Sequence, residues 1–150
     1  SDMAISMLTP NLMVDDMPTT LAFYRDTLGF EVADTAPPDG APVWAQLRAG
    51  GVSIMLQTRA SLSEELPDLR EQPIGATQTL YITVENEPTF DALYARARQA
   101  GAIITEPFTT SYGAREFRLR DPEGYLLVFA WMMGAAQAEP TGAPAQERDA

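Results

Sequence analysis

The sequence predicts an α+β fold made of two βαβββ modules, and an internal repeat is the main reason for this prediction. Residues 9–24, TPNLMVDDMPTTLAFY, align with residues 79–94, TLYITVENEPTFDALY, at six identical positions out of sixteen. Further along, LRAGGVSIML (residues 47–56) and LRDPEGYLLVF (residues 119–129) both read as strand, glycine-containing turn, strand. Because these features recur in the same order, they indicate a duplicated unit.

The elements of the first module follow from local patterns. Residues 5–14 alternate between apolar and other side chains, which predicts a first strand. A helix is expected from about Met17 to Leu28, because Pro18 suits a first helical turn and Gly29 stands where a C-cap glycine belongs. The three strands predicted after it lie near Glu31–Ala33, Val43–Arg48 and Val52–Gln57.

The second module repeats this order. A strand over residues 77–84 leads into a helix from about Glu87 to Ala100, with Pro88 in its first turn and Gly101 after its end. The three strands predicted after it lie near Ile103–Phe108, Arg115–Arg120 and Tyr125–Trp131.

The 150 residues are expected to form one domain. Its predicted parts are a first module over about residues 5–58, a linker over 59–75 with a short helix at Ser61–Leu66, a second module over about 76–133, and a disordered tail over 134–150.

Composition excludes several classes of function. A net charge of −11, from 10 Lys+Arg against 21 Asp+Glu, disfavours nucleic-acid binding, which needs clustered basic residues. No apolar run approaches the roughly 20 residues that span a bilayer, and the start lacks the features of a secretion signal, so we expect a cytoplasmic protein. The absence of Cys and His excludes disulfides and zinc sites with nitrogen or sulfur ligands.

One face of each sheet is predicted to form a concave binding site. Alternate side chains of a strand point to opposite faces, and the aliphatic set in each module would pack under its helix. The opposite set mixes aromatic, amide, hydroxyl and charged groups, which is typical of a small-molecule site, although a dimer interface is the alternative. The predicted ligand-binding residues are Asn11, Trp44, Gln46, Met55, Gln57, Tyr81, Tyr112, Glu116, Arg118 and Val128.

The charge of the ligand stays open at this point. Trp44 and Tyr81 would stack on a planar molecule, Glu116 would pair with a cationic group, and Arg118 would instead hold an acidic one. The acidic composition would attract a cation, but it is explained more simply by solubility. The segment TSYGA, residues 110–114, reads as a loop that lets Tyr112 close the groove.

Two longer segments carry a family resemblance: VDDMPTTLAFYRDTLGFEV, residues 14–32, and GAREFRLRDPEGYLLVFAW, residues 113–131. Together with the duplication, they resemble the vicinal oxygen chelate superfamily, which includes glyoxalase I, extradiol dioxygenases, fosfomycin-resistance proteins and bleomycin-resistance proteins. The resemblance covers about residues 7–133. It implies the glyoxalase/bleomycin-resistance fold, whose curved mixed sheets enclose a groove.

The resemblance also locates the positions that hold a metal in other members. There the ligands come from the first and last strands of each module and are usually His, Gln or Glu. Carried onto this sequence, the four positions are Thr9, Met55, Thr79 and Val128. Neutral hydroxyls are weak ligands, and Met and Val offer no hard oxygen. We therefore expect no metal and no other cofactor.

Among the members of the superfamily, the metal-free bleomycin-resistance-type proteins resemble this chain best. These are acidic dimers that sequester a drug in a groove between units of two chains. The resemblance implies a homodimer that captures an antibiotic or similar natural product without modifying it and that has no catalytic residue. Tyr125 stands where these proteins usually have Asn, which leaves the subfamily open.

Two other classes of function remain. One is an enzyme of the same fold (a lyase, isomerase or dioxygenase) with a non-standard or absent metal site. In such an enzyme Glu116 would be the base, with Glu106 as the weaker candidate, and Tyr81 or Tyr112 would be the acid. The other is a regulatory interaction module, for which the mixed concave face would have no purpose.

Overall fold

Two four-stranded sheets with their helices make up the part of the chain that the computed structural model describes, residues 3–134. The boundary between two compact units lies between Gln72 and Pro73. The first unit contains, in chain order, β1 (Asn11–Val14), α1 (Met17–Ala22), β2 (Glu31–Ala36), β3 (Trp44–Ala49), β4 (Val52–Thr58) and α2 (Arg59–Glu65). The second contains β5 (Thr79–Val84), α3 (Glu87–Gln99), β6 (Ile103–Thr109), β7 (Ala114–Arg120) and β8 (Leu126–Met132).

Both sheets have the same topology. Their strand orders are β1-β4-β3-β2 and β5-β8-β7-β6. In each sheet the first and last strands of the unit run parallel, and the other neighbours run antiparallel. The predicted α+β fold of two βαβββ modules is confirmed. The predicted tail lies, from residue 135 on, outside the described residues.

The helices begin where the sequence places side-chain caps. At α3, the Asn86 side chain accepts a hydrogen bond of 2.9 Å from the backbone N–H of Thr89, and Gly101 follows the helix end with φ of 71°. At α1, the Asp16 side chain accepts from the N–H of Thr19 at 3.1 Å. α1 then continues as a π-helical segment, Phe23–Thr27, instead of the regular helix that the sequence predicts. None of the helices in residues 3–134 has the length and apolarity that crossing a lipid bilayer requires.

Packing of β7 against α3 fixes the orientation of the second sheet. Phe117, in the middle of β7, is fully buried among the rings of Phe90, Tyr94 and Phe129, with centroid distances of 5.2, 5.6 and 5.4 Å. Because neighbouring side chains of a strand point to opposite faces, the residues on either side of Phe117 point away from α3. The candidate site lies on that face.

The first strand is shorter than the sequence predicts. β1 begins at Asn11 rather than at residue 5, because Pro10 has no N–H to give to the ladder; its carbonyl still accepts a 2.8 Å bond from the N–H of Met55. The alternation pattern places Leu8 on the buried face, which is wrong, since its side chain is 83% exposed.

Candidate functional site

A hollow of about 630 Å³ lies on the face of the second sheet that points away from α3. This volume falls within the range of small-molecule sites, roughly 300–1,000 Å³. The residues that line it are Thr79, Tyr81, Ile104, Thr105, Glu116, Arg118, Leu119, Arg120, Leu126, Leu127 and Val128. Four of the ten predicted site residues, Tyr81, Glu116, Arg118 and Val128, therefore line one hollow within one unit.

A buried carboxylate with two tyrosine donors forms one part of this hollow. Glu116 is 2% exposed. The hydroxyl of Tyr81, on β5, donates to Glu116 Oε2 at 2.6 Å, and the hydroxyl of Tyr112, in the loop before β7, donates to the same oxygen. The arrangement holds the tyrosine rings over the sheet and gives a buried charge the hydrogen bonds that it needs.

The environment of Tyr81 keeps its hydroxyl protonated. Partial burial of the phenol, with the nearby Glu116 carboxylate as a second cause, raises the pKa of Tyr81 above its ordinary value of about 10. A raised pKa means that the folded protein holds this proton more tightly than the unfolded chain does. The hydroxyl is therefore a hydrogen-bond donor throughout the neutral pH range.

Arg118 and Val128 form the floor of the hollow. The two residues face each other across β7 and β8, and Val128 faces Tyr81 across β8 and β5, so the three form one row across the sheet. The guanidinium carbon of Arg118 lies 4.8 Å from the centre of the Phe108 ring, which is a cation–π distance.

The other five predicted residues lie on β1, β3 and β4 of the first unit. Two of them, Asn11 and Gln57, are hydrogen-bonded to each other, and Gln57 is also bonded to α2. Asn11 Nδ2 donates to Gln57 Oε1 at 2.8 Å, and Gln57 Nε2 donates to Ser61 Oγ at 2.9 Å and to Glu65 Oε2. Gln57 is 6% exposed. Its amide thus fastens α2 to β4, so a ligand would have to displace an existing bond in order to contact it.

The remaining three residues of the first unit also contact neighbours on the same face. The indole N–H of Trp44 donates to the sulfur of Met55 at 3.3 Å. Gln46 Nε2 donates to Ser53 Oγ at 3.1 Å. Trp44, Gln46 and Met55 were predicted to lie on one face of the sheet, and the antiparallel register of β3 and β4 brings them close together there.

The side chains at the expected metal positions do not fit a divalent cation. Met55 offers a sulfur that already accepts the Trp44 N–H, and Thr9 precedes β1. Thr79 offers only a hydroxyl, and it pairs with Leu126 and not with Val128, which lies two residues further along β8. Among the residues described, no group of three or more His, Cys, Asp or Glu side chains could hold a metal ion. The donor set is therefore too neutral and too sparse for the metal that the superfamily resemblance implies.

Ile104 and Thr105 are lining residues that sequence reasoning missed. They belong to β6, whose pairing with β7 shifts register on both sides of Thr105. Such irregularities change which side chains face the hollow, and alternation alone gives no sign of them. Pro107, inside β6, is the one local signal of an irregular edge strand.

Comparisons with known proteins support the fold across the chain. The sequence model described as Glyoxalase/Bleomycin resistance protein/Dioxygenase superfamily matches residues 5–129. A solved glyoxalase/bleomycin resistance protein/dioxygenase from Nocardioides is similar at 20% identity and a TM-score of 0.68, covering 95% of this chain and 92% of that one. No curated protein matches significantly.

Two further solved structures have different names but similar folds. TioX from Micromonospora sp. ML1 is similar at 20% identity and a TM-score of 0.66, covering 85% of this chain and 99% of that chain. A lactoylglutathione lyase from Agrobacterium tumefaciens is similar at 16% identity and a TM-score of 0.64, covering 84% of this chain and 92% of that chain. At these identities the likeness concerns the fold alone.

Proposed function

We propose, from the premise that this chain belongs to the Glyoxalase/Bleomycin resistance protein/Dioxygenase superfamily, that it binds a small organic molecule and holds it without chemical change. The observation that carries this proposal is the hollow of about 630 Å³ in the second unit. It combines apolar walls with a few polar groups in fixed positions, as small-molecule sites do. An antibiotic or a similar natural product is the class of ligand that the family resemblance favours.

The residue types at the superfamily's metal positions support binding over metal-assisted catalysis. A metal would polarise a substrate oxygen in a site with hard, charged ligands. Here two hydroxyls, a thioether and an isopropyl group occupy those positions, at Thr9, Thr79, Met55 and Val128. We propose that the hollow retains its shape for capture and that its polar residues orient the guest.

Binding is tested with the neutral fluorophore N-phenyl-1-naphthylamine and with a panel of natural products that includes both bleomycin-class compounds and organic acids. We expect saturable binding of the fluorophore, displacement of it by at least one panel compound, and recovery of that compound with unchanged mass. Thr79→Trp fills the hollow and should weaken fluorophore binding about 10-fold or more, whereas Thr77→Trp, at an exposed position outside the hollow, should not. Stoichiometric Mn, Fe, Ni or Zn that survives dialysis would contradict the proposal.

The two tyrosine hydroxyls on the buried Glu116 carboxylate favour one second candidate, proton-transfer catalysis on the bound molecule. Glu116 is the base in this reading, and the protonated Tyr81 hydroxyl is the acid. The two functions differ in what happens to the guest. Deuterium incorporated from D₂O into a recovered compound, and lost in Glu116→Gln, would support the catalytic reading.

We also propose that the protein is a homodimer and that its first residues contribute to the contact. Met3, Ile5, Met7 and Leu8 are all highly exposed apolar side chains in a single chain, and large exposed apolar side chains close together are typical of interaction surfaces. Light scattering after size-exclusion chromatography should give twice the chain mass of 16.4 kDa. Replacing Ile5 and Leu8 by Ser should shift the protein towards the monomer, and a monomeric wild-type protein would contradict the proposal. The cytoplasm as its location stays a prediction.

A further inference from the structure

We propose that the ligand is an organic acid whose anionic group binds Arg118, a proposal that rests on the binding function above. Arg118 lies in the middle of β7, is half-buried and lines the hollow. Within residues 3–134 its guanidinium forms no ion pair and no hydrogen bond, and it makes a cation–π contact with the Phe108 ring. Five N–H donors are thus held on an aromatic face without an acceptor, in a geometry that matches a planar oxyanion.

Within the described residues, the carboxylate next along the face forms no ion pair with this cation. Glu116, two residues before Arg118 in β7, accepts the hydroxyls of Tyr81 and Tyr112 instead. Within residues 3–134 only Arg25 and Arg59 form ion pairs, and Arg118 differs from the other unpaired arginines because it is half-buried and also lines the hollow. The local charge therefore favours an anionic ligand, although the overall charge favours a cationic one.

The surroundings of Arg118 supply the other parts of an anion site. Arg120 lies two residues further along β7, about 7 Å away on the same face, and its guanidinium donates a long hydrogen bond of 3.4 Å to the carbonyl of Gly124. Thr105 pairs with Arg118 across β6 and β7 and adds a hydroxyl to the lining. The apolar body of the ligand would lie against Val128 and Leu126, which complete the floor.

Two fluorophores that differ by one anionic group test this proposal. 8-Anilinonaphthalene-1-sulfonate carries a sulfonate, and N-phenyl-1-naphthylamine is the same ring system without it. We expect Arg118→Leu to weaken binding of the sulfonate about 10-fold or more, to leave the neutral probe within about twofold, and to remove the salt dependence of sulfonate binding.

Arg115→Leu is the matched control. Arg115 also lies on β7 and also contacts a phenylalanine ring, that of Phe90 at 6.0 Å, but Phe90 belongs to α3 on the other face of the sheet. This variant should leave both affinities unchanged. If Arg118→Leu fails to fold, Arg118→Lys keeps the charge, loses the planar fork and should weaken sulfonate binding about threefold or more.

The outcomes separate this proposal from the binding function. Equal loss of both probes in Arg118→Leu, or no loss of either, would overturn the anion site while leaving the proposed capture function in place. Failure of both probes to bind the wild-type protein would overturn the capture function and the anion site together. Selective loss of the sulfonate supports both.

Discussion

Replacing Phe117 by alanine is expected to lower the free energy of unfolding by about 3–5 kcal/mol, a large part of the total for a domain of this size. The side chain is fully buried, and three aromatic rings lie within 5.2–5.6 Å of its own, centre to centre. Truncation removes its burial and leaves a cavity between β7 and α3, which the stiff neighbouring rings cannot close. Urea denaturation followed by tyrosine and tryptophan fluorescence measures the loss.

Two controls separate cavity formation from a general effect of substitution in this unit. Phe117→Leu keeps most of the volume and should cost clearly less than the alanine variant. Ile104→Ala truncates a side chain on β6 that is about half exposed and should stay within about 0.5 kcal/mol of wild type. If Phe117→Ala costs less than about 1 kcal/mol, β7 is not fixed by this packing, and the orientation of the site face would need another cause.

Local sequence signals were sufficient to predict the bounds of an element where the capping residues at both of its ends lie next to it in the sequence. α3 was expected over Glu87–Ala100, and the observed helix ends only one residue earlier. The prediction is close because the Asn86 cap and the glycine after the helix are signals that lie next to the helix in the sequence. β1 differs because its length depends on pairing with β4, which lies some forty residues away. Alternation over residues 5–14 does not show that the hydrogen-bonded pairing with β4 begins only after Pro10. The π-helical segment after α1 likewise left no pattern in the sequence.

The sequence predicted four of the side chains that line the hollow, but it did not predict the hydrogen bonds that they form. Tyr81, Tyr112 and Glu116 each follow from alternation or from a glycine-containing turn. Both hydroxyls donate to one carboxylate oxygen. The sequence does not show this, because it depends on the register of β5 against β8 and on the conformation of the loop before β7. Gln57 was expected to orient a ligand, and its hydrogen bond to Ser61 in α2 is likewise a contact that alternation does not show.

Removing both hydroxyl groups from the tyrosine–carboxylate cluster, in Tyr81→Phe/Tyr112→Phe, is expected to destabilise the protein by about 3–5 kcal/mol. Each single variant leaves Glu116 with one donor and should cost about 1.5–3 kcal/mol. The double variant leaves the carboxylate of Glu116, which is 2% exposed, without either bond, and a buried polar group without a partner is costly. Because the pKa of Tyr81 is raised, the stabilisation by its hydroxyl is fully present below pH ~10 and is lost as the pH rises further.

A triple variant identifies the carboxylate as the cause of that loss. Adding Glu116→Leu to the double variant removes the carboxylate that has lost its hydrogen-bond donors. We therefore expect the free energy of unfolding of the triple variant to be about 2 kcal/mol or more above that of the double variant. Tyr94→Phe is the control, because its hydroxyl donates to the exposed Glu106 at 3.1 Å and the same bond at the surface should contribute at most about 0.5 kcal/mol. A triple variant no more stable than the double would mean that water replaces the tyrosine hydroxyls. In that case the cluster would be a solvated lining of the hollow, and the orientation of a guest would depend on Arg118 and the apolar floor.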